Sequence, residues 1–556
     1  MVLNRTLGLC ASALVALAAC GGSGSHFSAG EVSRTWNPTA VKEVSGVPIA
    51  SLRSELQSAL AKKPTYATEE QWEHANRLYK GYQISPLWLD GDGVIKDRVD
   101  AMVDALVNAT TDGIKLDEYL LFDVAVHLDS LKRTKQPTAP LLARTDLLLT
   151  TAYAALGEDY LNGQIDPKTV AQSWHIDPQE EEVDSALVRS LRDKNLAQAI
   201  GRMRPVDPEY EMLRRKLGDY RRIVAAGGWT QIPAGKSLKI GQTDNPTRIQ
   251  ALRVRLRAEG FKADSASPIV FDASLAAAVA QFQSRHAIGV DSSLGTETLD
   301  ALNVPAQFRL AQIAANLERY RWLPRQMAEK YIIVNVPAFR MEGHENGKKT
   351  IEMKVIVGSE YEGRSTPVFS DKMEYVVFRP YWNVTPDIAA KEFFPKYGSN
   401  LPAGYETYSE NGQLRIRQVP GPKNSLGLVK FLFPNDFNIY LHDTPNDNLF
   451  DKDVRAFSHG CIRLEKPAEL AQWVLGWDAA RVHQAMENGP DNRTVTLPKK
   501  LPVFIVYTTA YMRDGQLWFG NDLYKRDDQL AQAVMGGAMP SAQAVRAVDA
   551  LRKLTS

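Results

Sequence analysis

The chain has 556 residues, far more than the roughly 100 to 200 that one domain usually occupies, so three or more structural units are expected. Its 66 Lys and Arg almost cancel its 65 Asp and Glu, and without a nucleic-acid-recognition motif this balance gives no reason to expect nucleic acid as a partner. A hydrophobic share of 44% with ordinary Gly and Pro levels excludes a disordered chain.

In chain order, Arg5 and the apolar run 7–19 read as a processing signal, too short for a comfortable permanent membrane helix. Its ending, Leu17-Ala18-Ala19-Cys20, resembles a bacterial lipobox, which implies cleavage of 1–19 and a lipid on Cys20 that anchors without spanning. An ordinary secretory signal that happens to contain Cys is the alternative. Gly21 resembles an outer-membrane sorting context more than a retention signal. Residues 20–50, with GGSGS at their start, read as a flexible tether. Cys10 leaves with the signal and Cys20 is lipidated, so Cys461 remains as one unpaired thiol in an oxidising compartment, which invites a functional explanation.

Over 51–237, apolar spacing of three and four residues predicts helices at 51–61, 68–82, 96–109, 117–132, 141–156 and 207–226. Asp90-Gly91-Asp92-Gly93 lacks the full spacing of a calcium loop and reads as a turn. Trp88, Trp174 and Trp229 read as core or interface anchors. Residues 238–306 carry three short helical patterns separated by Gly turns, a compact module, and 307–328 a connector helix. From 329 to 510 the period shifts to short strands, at 331–336, 350–357, 374–378, 414–417, 439–441 and 503–508. A strand-poor, aromatic stretch at about 386–410 reads as a lid, and 511–556 as a helical tail expected to pack back on the helical region.

The chemistry concentrates between Tyr440 and Arg463. A short apolar run delivers His442, and Ser458-His459-Gly460-Cys461 follows after a loop of Asp, Asn and Pro. Cys is partly ionised near neutral pH, and a neighbouring imidazole can lower its pKa further, so Cys461 is the candidate nucleophile and either His442 or His459 the base. The alternatives are an inert Cys with two polar histidines, or metal ligation by His442, Asp443, His459 and Cys461, whose spacing matches no tight ligand signature.

His442 and Ser458-His459-Gly460-Cys461 together resemble the signature of the L,D-transpeptidase catalytic (YkuD) family, and Gly421-Pro422, Asn424, Leu426-Gly427, Lys430-Phe431 and Phe433-Pro434-Asn435 resemble its large multidomain members. Arg463 stands where many smaller members have Asn. Phe282-Gln283, Gly289, Gly295 and Thr298 make 238–306 similar to a three-helix peptidoglycan-binding domain, and Pro86-Leu87-Trp88 with Gly227-Gly228-Trp229 resemble the large transpeptidases' helical scaffold.

The resemblance implies a multidomain protein: a mainly helical scaffold, the three-helix module, then a mostly β, sandwich-like catalytic domain. It implies Cys461 as nucleophile and His442 as base, oriented by the backbone carbonyl of Asp443, with His459 as support or alternative base. Gly460 and Cys461 N–H are the expected oxyanion donors, and Tyr440, Asn424, Arg463, Trp382 and Ser458 the expected substrate contacts. It implies no metal and no cofactor. The implied partners are peptidoglycan stem peptides, a membrane through the lipid anchor, and cell-wall synthesis proteins, in the periplasm of a Gram-negative bacterium at the outer membrane. The implied reaction is 3-3 crosslinking with release of D-Ala through a thioester, in an enzyme of the carbapenem-target type; L,D-carboxypeptidase, protein-to-peptidoglycan ligase or a non-catalytic wall-binding protein are the alternatives.

Overall fold

The computed structural model describes residues 36–115, 118–171, 173–176, 182–264, 267–360, 364–398 and 400–555; the signal, Cys20 and most of the tether read at 20–50 lie outside them. Among the described residues no helix is long and apolar enough to cross a membrane.

The helical region is built around Ala139–Asn162, which is buried on every side from Leu142 to Leu161 except at Arg144. A helix apolar all round must be surrounded, and Ile49–Leu60, Glu69–Gly81, Lys96–Ala109, Glu118–Arg133 and Val183–Arg192 surround it. Its buried Asp146 accepts hydrogen bonds from Tyr79 Oη (2.6 Å), Leu87 N (3.0 Å) and Trp88 N (2.8 Å), so one carboxylate pins the entry of the following turn. That turn, at Asp90–Gly93, closes a two-strand hairpin in which Leu89 pairs Val94. Trp88, Trp174 and Trp229 are all buried.

Pro246–Ala258, Ala273–Arg285 and Thr296–Leu302 form the small module around their own core of Leu252, Leu256, Val279, Phe282 and Leu302. The module meets the strand region where the His286 ring lies 5.2 Å from that of Phe519.

Ala306–Arg321 is the spine of the molecule. It packs against Pro208–Ala225 on one side and Asp527–Ala538 on another, and Asn316 Oδ1 accepts the Thr509 N–H at 2.9 Å. The last helix, Ala542–Thr555, runs back onto Lys96–Ala109 and Glu118–Arg133, with Ala547, Val548 and Leu551 in the helical core.

The region after residue 329 is mostly β. Its strands pair in the order Val429–Leu432, Leu441–His442, Ile462–Leu464, Lys348–Gly358, Arg340–Glu345, Lys330–Asn335, Arg493–Val506 and Val368–Phe378, and the last pairs back with the first. The ring of pairings is closed, so these strands leave few open edges. Inside it lie Val334, Met341, Val355, Val376, Phe378, Phe431, Leu441 and Ile462, all fully buried. Side chains alternate along a strand, so Lys430, His442 and Arg463 belong to the outer face.

The stretch read as a strand-poor lid is more ordered than expected. Trp382–Asn383, Gln413–Gln418 and Tyr405–Glu410 form a separate three-stranded sheet over a small core of Val384, Ala389, Phe393 and Ile416. The hairpin turns at Asn411 (φ 52°) and Gly412 (φ 75°), a dipeptide suited to the tight type I′ turn.

Candidate active site

Leu441–His442 is a two-residue strand clasped between neighbours. Lys430 stands opposite His442 on one side and Arg463 on the other, so the three side chains form one row across three strands. Leu441 pairs in parallel with Ile462, which places Tyr440 level with Cys461 on the same face as that row. Ile462 N donates to Tyr440 O at 3.0 Å and locks this register. The His442 Nδ1–H donates to the main-chain oxygen of Asp443 at 2.5 Å, which fixes the tautomer and leaves Nε2 with its lone pair. The Asp443 carboxylate accepts Leu428 N and Thr444 N, both at 2.7 Å, holding the carbonyl that holds the imidazole. Gly427, at φ +61°, lies so close that a Cβ there would meet Asp443 Cγ at 2.2 Å.

Cys461 sits at the end of a clamped turn. The Ser458 hydroxyl donates to Cys461 O (2.6 Å) and accepts the Gly460 N–H (3.2 Å). Gly460 adopts φ +113°, a conformation that side-chain-bearing residues rarely take, and its carbonyl accepts Thr366 Oγ1 at 2.8 Å. Thr366 also accepts Gly358 N at 2.9 Å, while Tyr524 Oη joins Thr366 N (3.1 Å) to Gly358 O (2.7 Å). The sulfur lies 3.6 Å from Asn438 O and is hydrogen-bonded to the Tyr440 side chain. The residue keeps part of its surface open.

Burial pushes His442 down to about 3, and the positive charges of Arg463 and Lys430 add to it against the opposing Asp443 carbonyl. Burial pushes the Cys461 thiol up to about 11, opposed by hydrogen bonds with Tyr440 and by the charges of Arg463 and Lys430. Both groups therefore rest uncharged near neutral pH, on one face of the sheet. Such an imidazole can accept the thiol proton as the sulfur attacks an acyl carbon, which is nucleophilic catalysis with a general base.

Residues 329–505, which contain all of this arrangement except Tyr524, match the L,D-transpeptidase catalytic domain family, YkuD. The chain carries an L,D-transpeptidase catalytic domain. Residues 73–217 match the Scaffold domain and 245–302 the family described as "Putative peptidoglycan binding domain". A Haemophilus influenzae protein described as "Putative L,D-transpeptidase" is 31% identical over 245 residues, covering 39% of this chain and 48% of that protein, so the match spans about half the length of the relative. A crystal structure of the L,D-transpeptidase (residues 123-326) from Xylanimonas cellulosilytica aligns at 15% identity over 49% of this chain and 99% of that one, with a TM-score of 0.16, too low to bear on the fold.

Within the transpeptidase domain the structure brings together Cys461, His442, Asp443, Tyr440, Ser458, Gly460 and Arg463 and treats Asn424, Trp382 and His459 differently. Gly460 N–H is occupied by Ser458 Oγ, so it is not an unengaged oxyanion donor; among the described residues the Cys461 N–H makes no backbone hydrogen bond. Asn424 is not placed as a substrate contact. Its side chain is buried and spent on Pro380 O (3.1 Å), Val419 O (2.9 Å) and Leu426 N (2.8 Å), closing its own loop. Trp382 packs inside the lid, its ring 6.2 Å from Phe393 and 6.3 Å from Tyr405. His459 is exposed, whereas His442 is buried beside the cations, which favours His442 as the base.

Ligand atoms of Glu70, His74 and Glu158 lie within 4.8 Å of one another in the helical region, where His74 is bonded to Glu158 (3.0 Å) and Asp184 (2.7 Å). In the transpeptidase domain the Asp443 carboxylate is engaged by backbone N–H groups, which removes it from a ligand set with His442, His459 and Cys461. Sequence reading missed Lys430, Thr366 and Tyr524. Lys430 was visible only as part of a motif, and the two clamps come from chain segments about 95 residues before and 63 after Cys461, reachable only through the fold.

Proposed function

We propose that this chain is a cysteine-dependent L,D-transpeptidase that forms 3-3 crosslinks in peptidoglycan. The supporting observation is the neutral His442, tethered through Nδ1 to Asp443 O, on the same sheet face as Cys461. The donor is a tetrapeptide stem ending in diaminopimelate and D-Ala. His442 Nε2 takes the proton as Cys461 Sγ attacks the carbonyl of the diaminopimelate L-centre, and Cys461 N–H stabilises the oxyanion. The C–N bond breaks, the imidazolium protonates the leaving amine, and D-Ala departs from a thioester. The side-chain amine of a second diaminopimelate then attacks the thioester, His442 takes its excess proton, and the thiol is restored on release of the crosslinked product.

Hydrolysis of the same thioester makes the enzyme an L,D-carboxypeptidase, and attack by a protein amine makes it a ligase. The order of units supports crosslinking: a lipid on Cys20, a tether that ends before the hairpin of Glu43–Val44 and Val47–Pro48, the helical scaffold, the glycan-facing module of 238–306, the connector of 307–328, the catalytic region of 329–510 and the tail of 511–556, in the periplasm at the outer membrane. Incubation with disaccharide tetrapeptide, analysed by mass spectrometry, tests the reading. Crosslinked dimer and D-Ala from the parent protein, absent with Cys461→Ala, support it. Tripeptide alone assigns the carboxypeptidase reaction, and neither product with an unmodified Cys461 assigns wall binding without catalysis.

A further inference from the structure

Lys430 and Arg463 flank His442 on the outer face of the sheet, one from each neighbouring strand. Both are only partly exposed, and burial lowers both from their ordinary values. A cation taken from water ordinarily acquires a carboxylate. Among the described residues the one acidic group that acts on either is the Cys461 thiol, and Arg463 Nε is a buried donor with no hydrogen-bond partner there. Lys430 Nζ stands 5.8 Å from the Tyr440 ring centre, and that ring lies 5.7 Å from His442, so the ammonium borders the space above the sulfur.

Two half-buried positive charges that face the nucleophile and have no carboxylate partner among the described residues are complementary to an anion delivered by the substrate. Adjacent strands are about 4.8 Å apart, so two long side chains rooted two strands apart can meet over the strand between them. In a peptide, the carboxylate of the residue after the attacked carbonyl lies within about one Cα–Cα step, near 3.8 Å, of the reacting bond.

We infer that Lys430, with Arg463, forms a carboxylate clamp that reads the free C-terminal carboxylate of the donor stem, so that the enzyme accepts a stem ending one residue beyond the attacked carbonyl. This rests on the transpeptidase reading for its substrate, but not for the clamp itself. The clamp explains why a lysine occupies the position opposite the base: it recognises the leaving residue while its charge adds to the burial that keeps His442 neutral. A longer stem places an amide where the carboxylate belongs and leaves both cations unpaired, which disfavours it.

Two measurements separate the clamp from the reaction. The first compares alkylation of Cys461 by anionic iodoacetate and by neutral iodoacetamide, with no peptide present. The rate ratio is expected to fall about fivefold or more in Lys430→Met and to recover in Lys430→Arg, and to shrink in parent protein as salt rises. A ratio unchanged in both Lys430→Met and Arg463→Gln, with iodoacetamide still reacting, overturns the clamp.

The second measures Cys461 acylation by tetrapeptide with a free or an amidated C-terminus. Amidation is expected to slow acylation about tenfold or more in the parent, chiefly through KM, and to matter less than about threefold in Lys430→Met. Equal sensitivity in both proteins, or a loss caused instead by amidating the carboxylate on the diaminopimelate side chain, overturns the assignment to the terminal carboxylate. Failure of the parent to be acylated by either peptide defeats the transpeptidase reading, while the alkylation ratio still decides the clamp.

Discussion

The Nδ1 of His442 and the main-chain oxygen of Asp443 are 2.5 Å apart, so the residue that orients the base is its own neighbour in the chain. No third side chain is required for that task. The arrangement depends on the local backbone staying where Leu428, Thr444 and Gly427 hold it.

Replacing His442 by Gln keeps a polar group of similar size but removes the base. Acylation of Cys461 by a tetrapeptide is expected to slow about a hundredfold to ten-thousandfold, with the folded state retained. Stopped mass-spectrometric time courses and circular dichroism check the two halves. Near-parent acylation moves the role to His459.

The pH dependence follows from burial. Cys461 is pushed up to about 11, so alkylation by iodoacetamide is expected to climb about tenfold per pH unit across the neutral range, without a plateau below pH 8. A plateau beginning near neutrality would instead mark a preformed thiolate–imidazolium pair.

His442 titrates near 3 in the folded protein against 6.5 as its ordinary value, so the unfolded chain binds its proton first. Its stabilising contribution is full above pH 6.5 and is lost as pH falls from 6.5 toward 3. The denaturation midpoint of the parent is expected to drop more steeply over that window than that of His442→Gln.

Gly427→Ala is expected to destabilise by about 1–3 kcal/mol and to slow acylation, because a Cβ at φ +61° would sit 2.2 Å from Asp443 Cγ. Denaturant unfolding and acylation kinetics on one preparation test it. A neutral effect on both would mean that the loop around Leu428 does not position His442.

Thr366→Val replaces a fully buried hydroxyl that joins Gly358 N to Gly460 O. About 1–3 kcal/mol of stability is expected to be lost, along with acylation rate, because the carbonyl before Cys461 loses its donor. Unchanged acylation would show that Ser458 alone holds the turn.

Much of this was legible in the sequence where one local signal decided the outcome. The periodic helices appear at Glu69–Gly81 and Lys96–Ala109, whereas of the strand expected at 439–441 only Leu441 is in one, the two-residue Leu441–His442 that presents the imidazole. Asn411-Gly412 was an available hairpin signal, but the surrounding aromatics masked Tyr405–Glu410 as a lid without strands. Asn424 and Trp382 sit in motifs, yet a motif does not say whether a side chain faces substrate or its own loop; the four hydrogen bonds of the Asn424 side chain do. Lys430 became a site residue only once register placed it beside His442. Sequence spacing does not carry that information, because the partner strand lies twelve residues away and a slip of one would turn Lys430 inward.

The account stands most directly on intact-mass analysis of the parent protein and Cys461→Ala after brief exposure to disaccharide tetrapeptide. The expected result is an adduct of the stem less D-Ala on Cys461, with free D-Ala released in step, and neither in the variant. D-Ala released at the parental rate by Cys461→Ala, or released by the parent with the adduct on another residue, would contradict it.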